Sequence, residues 1–121
     1  MHWITFDCRD PYELGGFWAQ ALGGRRQDDD LPGDPEVLVS YPVGTPLLFQ
    51  AVPEPKQGKN RLHLDLQTDL PRDEQVARLV SLGATVLESR VRPDGSGWVV
   101  MADPEGNEFC VERSEAERAQ A

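Results

Sequence analysis

The amino-acid sequence predicts an α+β fold made of tandem β-α-β-β-β repeats that form a cupped mixed sheet with helices on its outer face. Residues 4–24 and 62–84 follow one plan, in which a strand and an acidic turn lead into a helix that ends at a Leu-Gly pair. The copies lie about 60 residues apart, which indicates an internal repeat. Each copy precedes three short strand-like segments joined by Gly- or Pro-containing turns, which favours antiparallel pairing. One helix per repeat covers one sheet face, so the opposite faces are expected to line a shared hollow.

Length and charge restrict the classes of protein to which the chain can belong. Its 121 residues suffice for one domain with a hydrophobic core. The formal net charge of -9 opposes binding to nucleic acid or to anionic membranes. No apolar run approaches the ~20 residues of a membrane span, and no signal peptide is expected before the first strand. Two cysteines, Cys8 and Cys110, make no disulfide framework, so we expect a cytoplasmic protein.

The first repeat opens with a strand and a helix. Residues 2–8 alternate, and the two faces of this strand are formed by Ile4, Phe6 and Cys8 and by Trp3, Thr5 and Asp7. Asp10 predicts a helix N-cap, with Pro11 in the first helical position and Glu13 completing a capping box. The helix face toward the core is expected to consist of Leu14, Phe17, Trp18, Ala21 and Leu22. The glycine pair beginning at Gly23 is expected to end the helix.

The remainder of the first repeat has the pattern of three strands. Residues 25–35 are polar and contain three consecutive aspartates, which favours a short edge strand and a solvated loop. A metal-binding acidic loop is the weaker alternative, because consecutive side chains point in different directions. Residues 36–41 and 47–52 are predicted to form an antiparallel hairpin.

The second repeat follows a polar, Pro-rich segment. We interpret residues 53–60 as a linker between half-repeats at about 1–53 and 60–113, within a single domain of residues 1–121. The next strand begins at Arg61, and its face toward the helix is expected to consist of Leu62, Leu64 and Leu66. Asp69 and Pro71 are expected to start the second helix. The last strands are predicted at residues 85–90, 98–102 and 108–112, before a frayed helical tail at 114–121.

Several motifs resemble those of the vicinal-oxygen-chelate superfamily, which includes glyoxalases, extradiol dioxygenases and bleomycin-resistance proteins. They are the Asp10-Pro11 start before Phe17-Trp18 and Leu22-Gly23, the Arg-Leu-His-Leu-Asp-Leu strand at 61–66, and the Asp-Pro-Glu-Gly-Asn-Glu-Phe turn at 103–109. The likeness to small bacterial glyoxalase-like domain proteins covers roughly residues 4–111. It implies the paired-repeat fold and a possible homodimer, whereas activity does not follow from fold.

The resemblance also implies where a divalent metal would bind. Enzymes of this superfamily hold one metal through four ligands, usually His and Glu with Gln in some, and the corresponding positions here are Trp3, Gln50, His63 and Cys110. Tryptophan offers no ligand atom. Of the other positions, His63 is a usual metal ligand, whereas Gln50 offers only a neutral amide and Cys110 a thiol. His2 lies one residue out of phase and could serve only through a bulge. We therefore predict no metal and no cofactor, with a divalent metal as the alternative.

Strand phase predicts the side chains that face the hollow. The predicted ligand pocket consists of Trp3, Thr5, Asp7, Gln50, His63, Asp65, Trp98 and Cys110. The two tryptophans either pack in the core or stack on a ligand. Nearby carboxylates are expected to raise the pKa of the Cys110 thiol, which disfavours a nucleophilic role.

His63 and Asp65 are the candidate catalytic residues. They lie two positions apart on one strand face, so Asp65 or Asp7 could orient the imidazole as a general acid or base. The alternative is a structural hydrogen bond between these side chains.

The sequence thus predicts a glyoxalase-like protein that binds a small organic molecule between its halves without the full superfamily metal site. The alternative is a glyoxalase-like lyase or isomerase that uses His63, with or without a divalent metal. A small dimer with no ligand is the third option. Negative charge favours a cationic or neutral ligand over a phosphorylated one.

Overall fold

The computed structural model describes residues 1–119 and divides the chain into two compact units, one from Met1 to Gln57 and one from Gly58 onward. Each unit contains one β-α-β-β-β repeat, as the sequence predicts. Within residues 1–119, none of the helices has the length and apolar character needed to cross a membrane.

The first unit is a four-stranded mixed sheet with one helix. Its elements are β1 (Ile4–Cys8), α1 (Pro11–Leu22), β2 (Arg25–Arg26), β3 (Glu36–Ser40) and β4 (Leu47–Ala51). The strand order is β1-β4-β3-β2, with β1 and β4 parallel and the other pairs antiparallel. Helix α1 contacts β2, β3 and β4 and therefore covers one face of this sheet.

Helix α1 begins and ends as predicted. The backbone N–H of Glu13 donates to the Asp10 carboxylate at 3.2 Å, and Gly23 ends the helix with a φ of +67°. The buried core of this unit includes Leu14, Phe17, Trp18, Val37, Val39, Leu47 and Phe49. Burial of this apolar stripe against the sheet stabilises the helix more than its own propensity does.

The second unit repeats the same topology and adds a short helix. Its elements are β5 (Asp65–Leu66), α2 (Arg72–Leu82), β6 (Thr85–Ser89), β7 (Trp98–Ala102), β8 (Glu108–Glu112) and α3 (Glu115–Ala119). The strand order is β5-β8-β7-β6, with β5 and β8 parallel. The repeat of strand order confirms the prediction of a duplicated α+β unit.

The predicted strand from Arg61 is much shorter than expected. Only Asp65 and Leu66 join the ladder, and Leu62 is 71% exposed, so its predicted burial against the helix is wrong. Before this point, the Asn60 N–H donates to the Glu108 carboxylate at 2.7 Å, and the Glu108 N–H donates to the Asn60 side chain at 3.1 Å. These bonds tie Asn60 to the start of β8, and between Asn60 and β5 the Leu64 carbonyl accepts from the Cys110 N–H at 2.9 Å.

The start of α2 also differs from the prediction. Pro71 is the N-cap and makes no side-chain cap, so Asp69 does not start this helix. The first free N–H of the helix, on Arg72, donates instead to the Glu117 carboxylate at 2.6 Å. Proline has no backbone N–H and no polar side chain, so Pro71 cannot cap the helix. The N–H of the following residue, Arg72, is satisfied by a carboxylate 45 residues away in the sequence.

The tail contains the short helix α3, as predicted, and side-chain hydrogen bonds anchor its start. Ser114 is 2% exposed, and its N–H donates to the Glu117 carboxylate at 2.8 Å. The Glu117 N–H donates back to the Ser114 hydroxyl at 3.1 Å, which completes a capping box. The last two residues of the predicted tail lie outside the described residues.

Candidate functional site

A pocket of about 780 Å³ lies on the face of the second unit's sheet. Four of the predicted site residues line it: His63, Asp65, Trp98 and Cys110. The other lining residues are Lys59, Leu87, Glu88, Arg90, Val100, Glu108 and Glu112. All belong to the second unit, so this pocket is formed by β5, β6, β7, β8 and the segment that precedes β5.

Strand register explains why these side chains share one face. Cys110 on β8 is the register partner of Asp65 on β5 and of Val100 on β7. Side chains of directly paired residues lie on the same side of a sheet, a few ångströms apart. The same rule places Trp98 beside Glu112, its register partner on β8. Trp98 and Val100 therefore line the same pocket of the second unit.

His63, Asp65 and Cys110 form a compact cluster at the base of this pocket. The Nδ1 atom of His63 lies 3.2 Å from Oδ1 of Asp65 and 4.0 Å from Sγ of Cys110. The imidazole and the carboxylate are exposed, whereas Cys110 is only 7% exposed. A ligand in the pocket could therefore reach the His63-Asp65 pair directly.

The environment of Cys110 suppresses its reactivity. Burial, followed by the charge of Asp65 and the hydrogen bond to that carboxylate, raises the pKa of the Cys110 thiol to about 11. Glu112 adds to this rise, and Lys59 opposes it. The thiol is protonated at neutral pH and is a poor nucleophile in this setting.

Charged residues around the rim are partly paired. Lys59 Nζ lies 3.8 Å from Glu108 Oε1, and Arg90 Nε lies 3.1 Å from Glu88 Oε1. The side-chain carboxylate of Glu112 forms no ion pair or hydrogen bond with any residue in the described part of the chain. The pocket therefore has both compensated and uncompensated carboxylates.

Arg72 fixes the loop that leads into Trp98. Its guanidinium group, which is 7% exposed, donates to the backbone carbonyls of Gly95 and Gly97 at 3.1 and 3.2 Å. Charge-assisted bonds of this kind are stronger than neutral ones. They link α2 to the start of β7 and thereby position the aromatic wall of the pocket.

The other predicted pocket residues lie in the first unit. Trp3, Thr5 and Asp7 alternate with the more buried positions of β1, and Gln50 on β4 is the register partner of Asp7. The Trp3 ring lies against the His2 ring, with centroids 3.8 Å apart and planes tilted by 37°. The participation of these four residues in a pocket shared by both halves stays a prediction.

Sequence reasoning missed part of the lining. Leu87 and Glu88 both reach the pocket although they are consecutive, because the register of β6 shifts between Val86 and Glu88. Lys59 lies in the segment that the sequence assigned to a linker. Strict alternation could not have found the bulge, and a lysine in a polar linker carries no signal of its own.

The cluster can be tested for its fit to the divalent metal that the family resemblance implies. The potential ligand atoms of His63, Asp65 and Cys110 all lie within 4.8 Å of one another. Imidazole, carboxylate and thiolate are all zinc ligands, and three protein ligands with one open position are typical of catalytic zinc sites. The donors therefore fit a thiophilic ion such as Zn²⁺ better than an ion that prefers oxygen. The absence of a metal stays a prediction. Asp65 is a potential ligand here, although it was not among the four ligand positions that the family resemblance implied.

Comparison with protein families gives one match over most of the chain. The model described as a glyoxalase-like domain matches residues 3–112. No curated protein sequence matches the chain.

Solved structures with the same fold come from several bacteria. An enzyme of the glyoxalase/bleomycin resistance protein/dioxygenase family from Burkholderia phytofirmans is 18% identical, covers 91% of this chain and 94% of its own, and has a TM-score of 0.72. A point mutant of the fosfomycin resistance protein FosX from Listeria monocytogenes, in complex with Mn(II) and 1S,2S-dihydroxypropylphosphonic acid, is 17% identical, with coverages of 100% and 97% and a TM-score of 0.70. Lactoylglutathione lyase from Agrobacterium tumefaciens is 22% identical, with coverages of 95% and 92% and a TM-score of 0.61. At these identities the likeness shows the fold alone.

Proposed function

The chain belongs to the glyoxalase-like domain family, and from that premise we propose that it binds a small organic molecule in the pocket of its second unit. The observation that carries this proposal is the convergence of His63, Asp65, Trp98 and Cys110 on one pocket of about 780 Å³. Pockets that bind drug-sized ligands generally measure about 300–1,000 Å³.

The lining has the composition of a ligand site. Trp98, Val100 and Leu87 supply apolar surface, and His63 and Asp65 supply polar groups that could orient a ligand. Because His63 Nδ1 already faces Asp65, its Nε2 atom remains for a ligand, and among the described residues it has no hydrogen-bond partner. A ring held by one hydrogen bond presents its second nitrogen in a fixed direction.

The solved structures support the class of ligand. FosX is described with a phosphonic acid, and lactoylglutathione lyase is named for lactoylglutathione, so proteins of this fold accommodate small organic molecules. The ligand of this chain does not follow from those names. A cytoplasmic location and a homodimer remain parts of the proposal, and sedimentation of the purified protein tests the second.

A thermal-shift panel of small aromatic, neutral and charged compounds tests the proposal. A compound at 100 times its Kd should stabilise the protein by about 2.7 kcal/mol. The shift should be lost in His63→Ala and Trp98→Ala and kept in His2→Ala, which removes an exposed imidazole from the first unit. The proposal fails if no compound raises the transition temperature, or if the two pocket variants respond like the wild type.

A second candidate is a glyoxalase-like lyase or isomerase, and the gathering of three metal donors within 4.8 Å favours it. His63, Asp65 and Cys110 would hold the ion. A bound divalent ion would supply a Lewis acid for a substrate oxygen. Metal analysis of protein purified without chelator tests this candidate: below about 0.1 equivalent, its metal-dependent form is excluded. A metal-free form would instead require His63 as the acid or base, and His63→Gln would abolish turnover of any substrate found.

A further inference from the structure

We infer that the pocket selects a cationic organic ligand, whose ammonium group lies against the Trp98 ring and the Glu112 carboxylate. The inference rests on the proposed function, because it names the chemical class of the molecule bound in that pocket. It concerns two residues outside the His63-Asp65-Cys110 cluster.

Trp98 and Glu112 are placed side by side by the sheet. They are register partners on the antiparallel strands β7 and β8, and both line the pocket. Paired residues on one face have Cβ atoms about 4.5–5.5 Å apart. An indole ring next to a carboxylate combines the two groups that attract an organic ammonium ion, the negative ring face and a full negative charge. This ring already attracts one cation, since the guanidinium carbon of the exposed Arg92 lies 5.8 Å from its centroid.

The charges of the pocket favour the same sign of ligand. Four carboxylates and two basic side chains line it: Asp65, Glu88, Glu108 and Glu112, with Lys59 and Arg90. Each basic group is already within ion-pair distance of a carboxylate, at 3.8 Å for Lys59 and 3.1 Å for Arg90. The other two lining carboxylates have no Lys or Arg partner within ion-pair distance: Asp65 contacts His63, and the Glu112 carboxylate has no ion-pair or hydrogen-bond partner among residues 1–119. An anionic ligand would meet basic groups that already have carboxylate partners, whereas a cation would meet a carboxylate that has none.

Apolar neighbours complete the argument for an organic cation. Leu87, Val100 and the Trp98 ring line the same pocket as Glu112. A small inorganic cation gains nothing from such surface, because it retains its water shell beside apolar groups. An aromatic or alkyl amine buries its hydrocarbon part there and keeps its charge at the exposed Glu112 carboxylate.

A series of probes on one scaffold tests the inference. Binding of 2-phenylethylamine, 2-phenylethanol and 2-phenylethylphosphonate is measured by calorimetry at pH 7 and low salt, where they are cationic, neutral and anionic. The amine should bind about 5- to 10-fold more tightly than the alcohol, and the phosphonate most weakly. Added sodium chloride should weaken binding of the amine and leave the alcohol unchanged.

Two charge-matched variants separate the role of Glu112 from that of net charge. Glu112→Gln should remove the advantage of the amine and leave the affinity for the alcohol within about twofold. Glu54→Gln, at an exposed position of the first unit, changes net charge equally and should change neither affinity. Trp98→Leu should weaken both compounds, and the amine by the larger factor.

The outcomes distinguish this inference from the proposed function. If amine and alcohol bind equally, if Glu112→Gln weakens both alike, or if the phosphonate binds most tightly, the pocket binds small molecules but does not select cations. If none of the three binds and the thermal-shift panel also gives no hit, the proposed function falls together with the inference.

Discussion

The Nδ1 atom of His63 lies 3.2 Å from Oδ1 of Asp65, and 45% and 53% of these side chains remain exposed. An ion pair or hydrogen bond at such exposure contributes little to stability, because water competes for both partners. We therefore expect His63→Ala and Asp65→Asn to change the free energy of unfolding by no more than about 0.5 kcal/mol. Urea denaturation measures this. Binding of the compound found in the thermal-shift panel should nevertheless fall in both variants. A loss of about 2 kcal/mol or more in stability would instead support the structural role that the sequence left open.

Cys110 should be alkylated slowly at neutral pH. With its pKa raised to about 11 by burial and by the Asp65 carboxylate, only about one thiol in a thousand is ionised at pH 8. In chelator-treated protein, the rate of carbamidomethylation should rise about tenfold per pH unit up to about pH 10. Mass spectrometry of the peptide that contains Cys110 separates it from Cys8. Asp65→Asn should speed the reaction at any fixed pH, and rapid labelling of the wild type at pH 7 would contradict the raised pKa.

Glu117 should make stability depend on acid pH. Its carboxylate accepts backbone hydrogen bonds from Ser114 and Arg72 at 2.8 and 2.6 Å, and chiefly the bond from Ser114 lowers its pKa below the ordinary 4.5. Since the folded-state pKa is the lower one, the stabilisation is complete above the unfolded-state pKa and is lost as pH falls through the folded-state value. Glu117→Gln should cost about 1–2 kcal/mol at pH 7, with a smaller difference from the wild type at pH 3.

The control for this pH dependence is Glu115→Gln, which changes an exposed carboxylate in the same helix. Its effect should stay within about 0.5 kcal/mol at both pH values. Urea denaturation between pH 3 and pH 7 compares the three proteins. An equal loss for Glu117→Gln at both ends of this range would show that the charge of Glu117 contributes nothing.

Two glycines in the loop before Trp98 should tolerate alanine differently. Gly95 and Gly97 have φ values of +88° and +102°, so alanine at either site costs roughly 1–2 kcal/mol of backbone strain. At Gly97 the new Cβ would also collide with the backbone carbonyl oxygen of Arg90, whereas at Gly95 its nearest neighbour is 3.9 Å away. We expect Gly97→Ala to cost about 3 kcal/mol or more and to weaken ligand binding through displacement of Trp98. Thermal denaturation should rank the two variants, and equal losses would contradict the collision.

Gln75 is a position where an apolar side chain should be tolerated. It is 1% exposed on α2, and neither polar atom of its amide has a hydrogen-bond partner among the described residues. Gln75→Met keeps the volume and removes an unsatisfied polar group, so it should raise stability by about 1 kcal/mol. As a contrast, Gln67→Met removes a bond that the side-chain amide donates to the Arg113 carbonyl at 3.1 Å and should not stabilise. Destabilisation by Gln75→Met would show that water satisfies the amide.

Much of the fold was predictable because it is specified locally. The capping box of Asp10 and Glu13 predicted the start of α1, and alternation predicted β7 and β8 at the observed residues. Strand phase also placed His63, Asp65, Trp98 and Cys110 on one face. These features depend on neighbours within a few positions, so the sequence displays them directly.

The failures share a physical cause. The N–H of Arg72 donates to Glu117, hydrogen bonds join Asn60 to Glu108 before the short β5, and the bulge before Glu88 interrupts the pairing of β6 with β7. Each joins residues far apart in the chain, and no local pattern encodes the partner.

By itself, the sequence determined the duplicated β-α-β-β-β plan, the acidic character and the residue types available for a site. Only the tertiary structure decided which carboxylates meet which cations, and therefore that Glu112 lies beside Trp98 with no ion-pair partner among residues 1–119. Periodicity fixes the side of a strand on which a residue lies, but the charge that a ligand meets depends on distances between strands, which are set when the sheet forms.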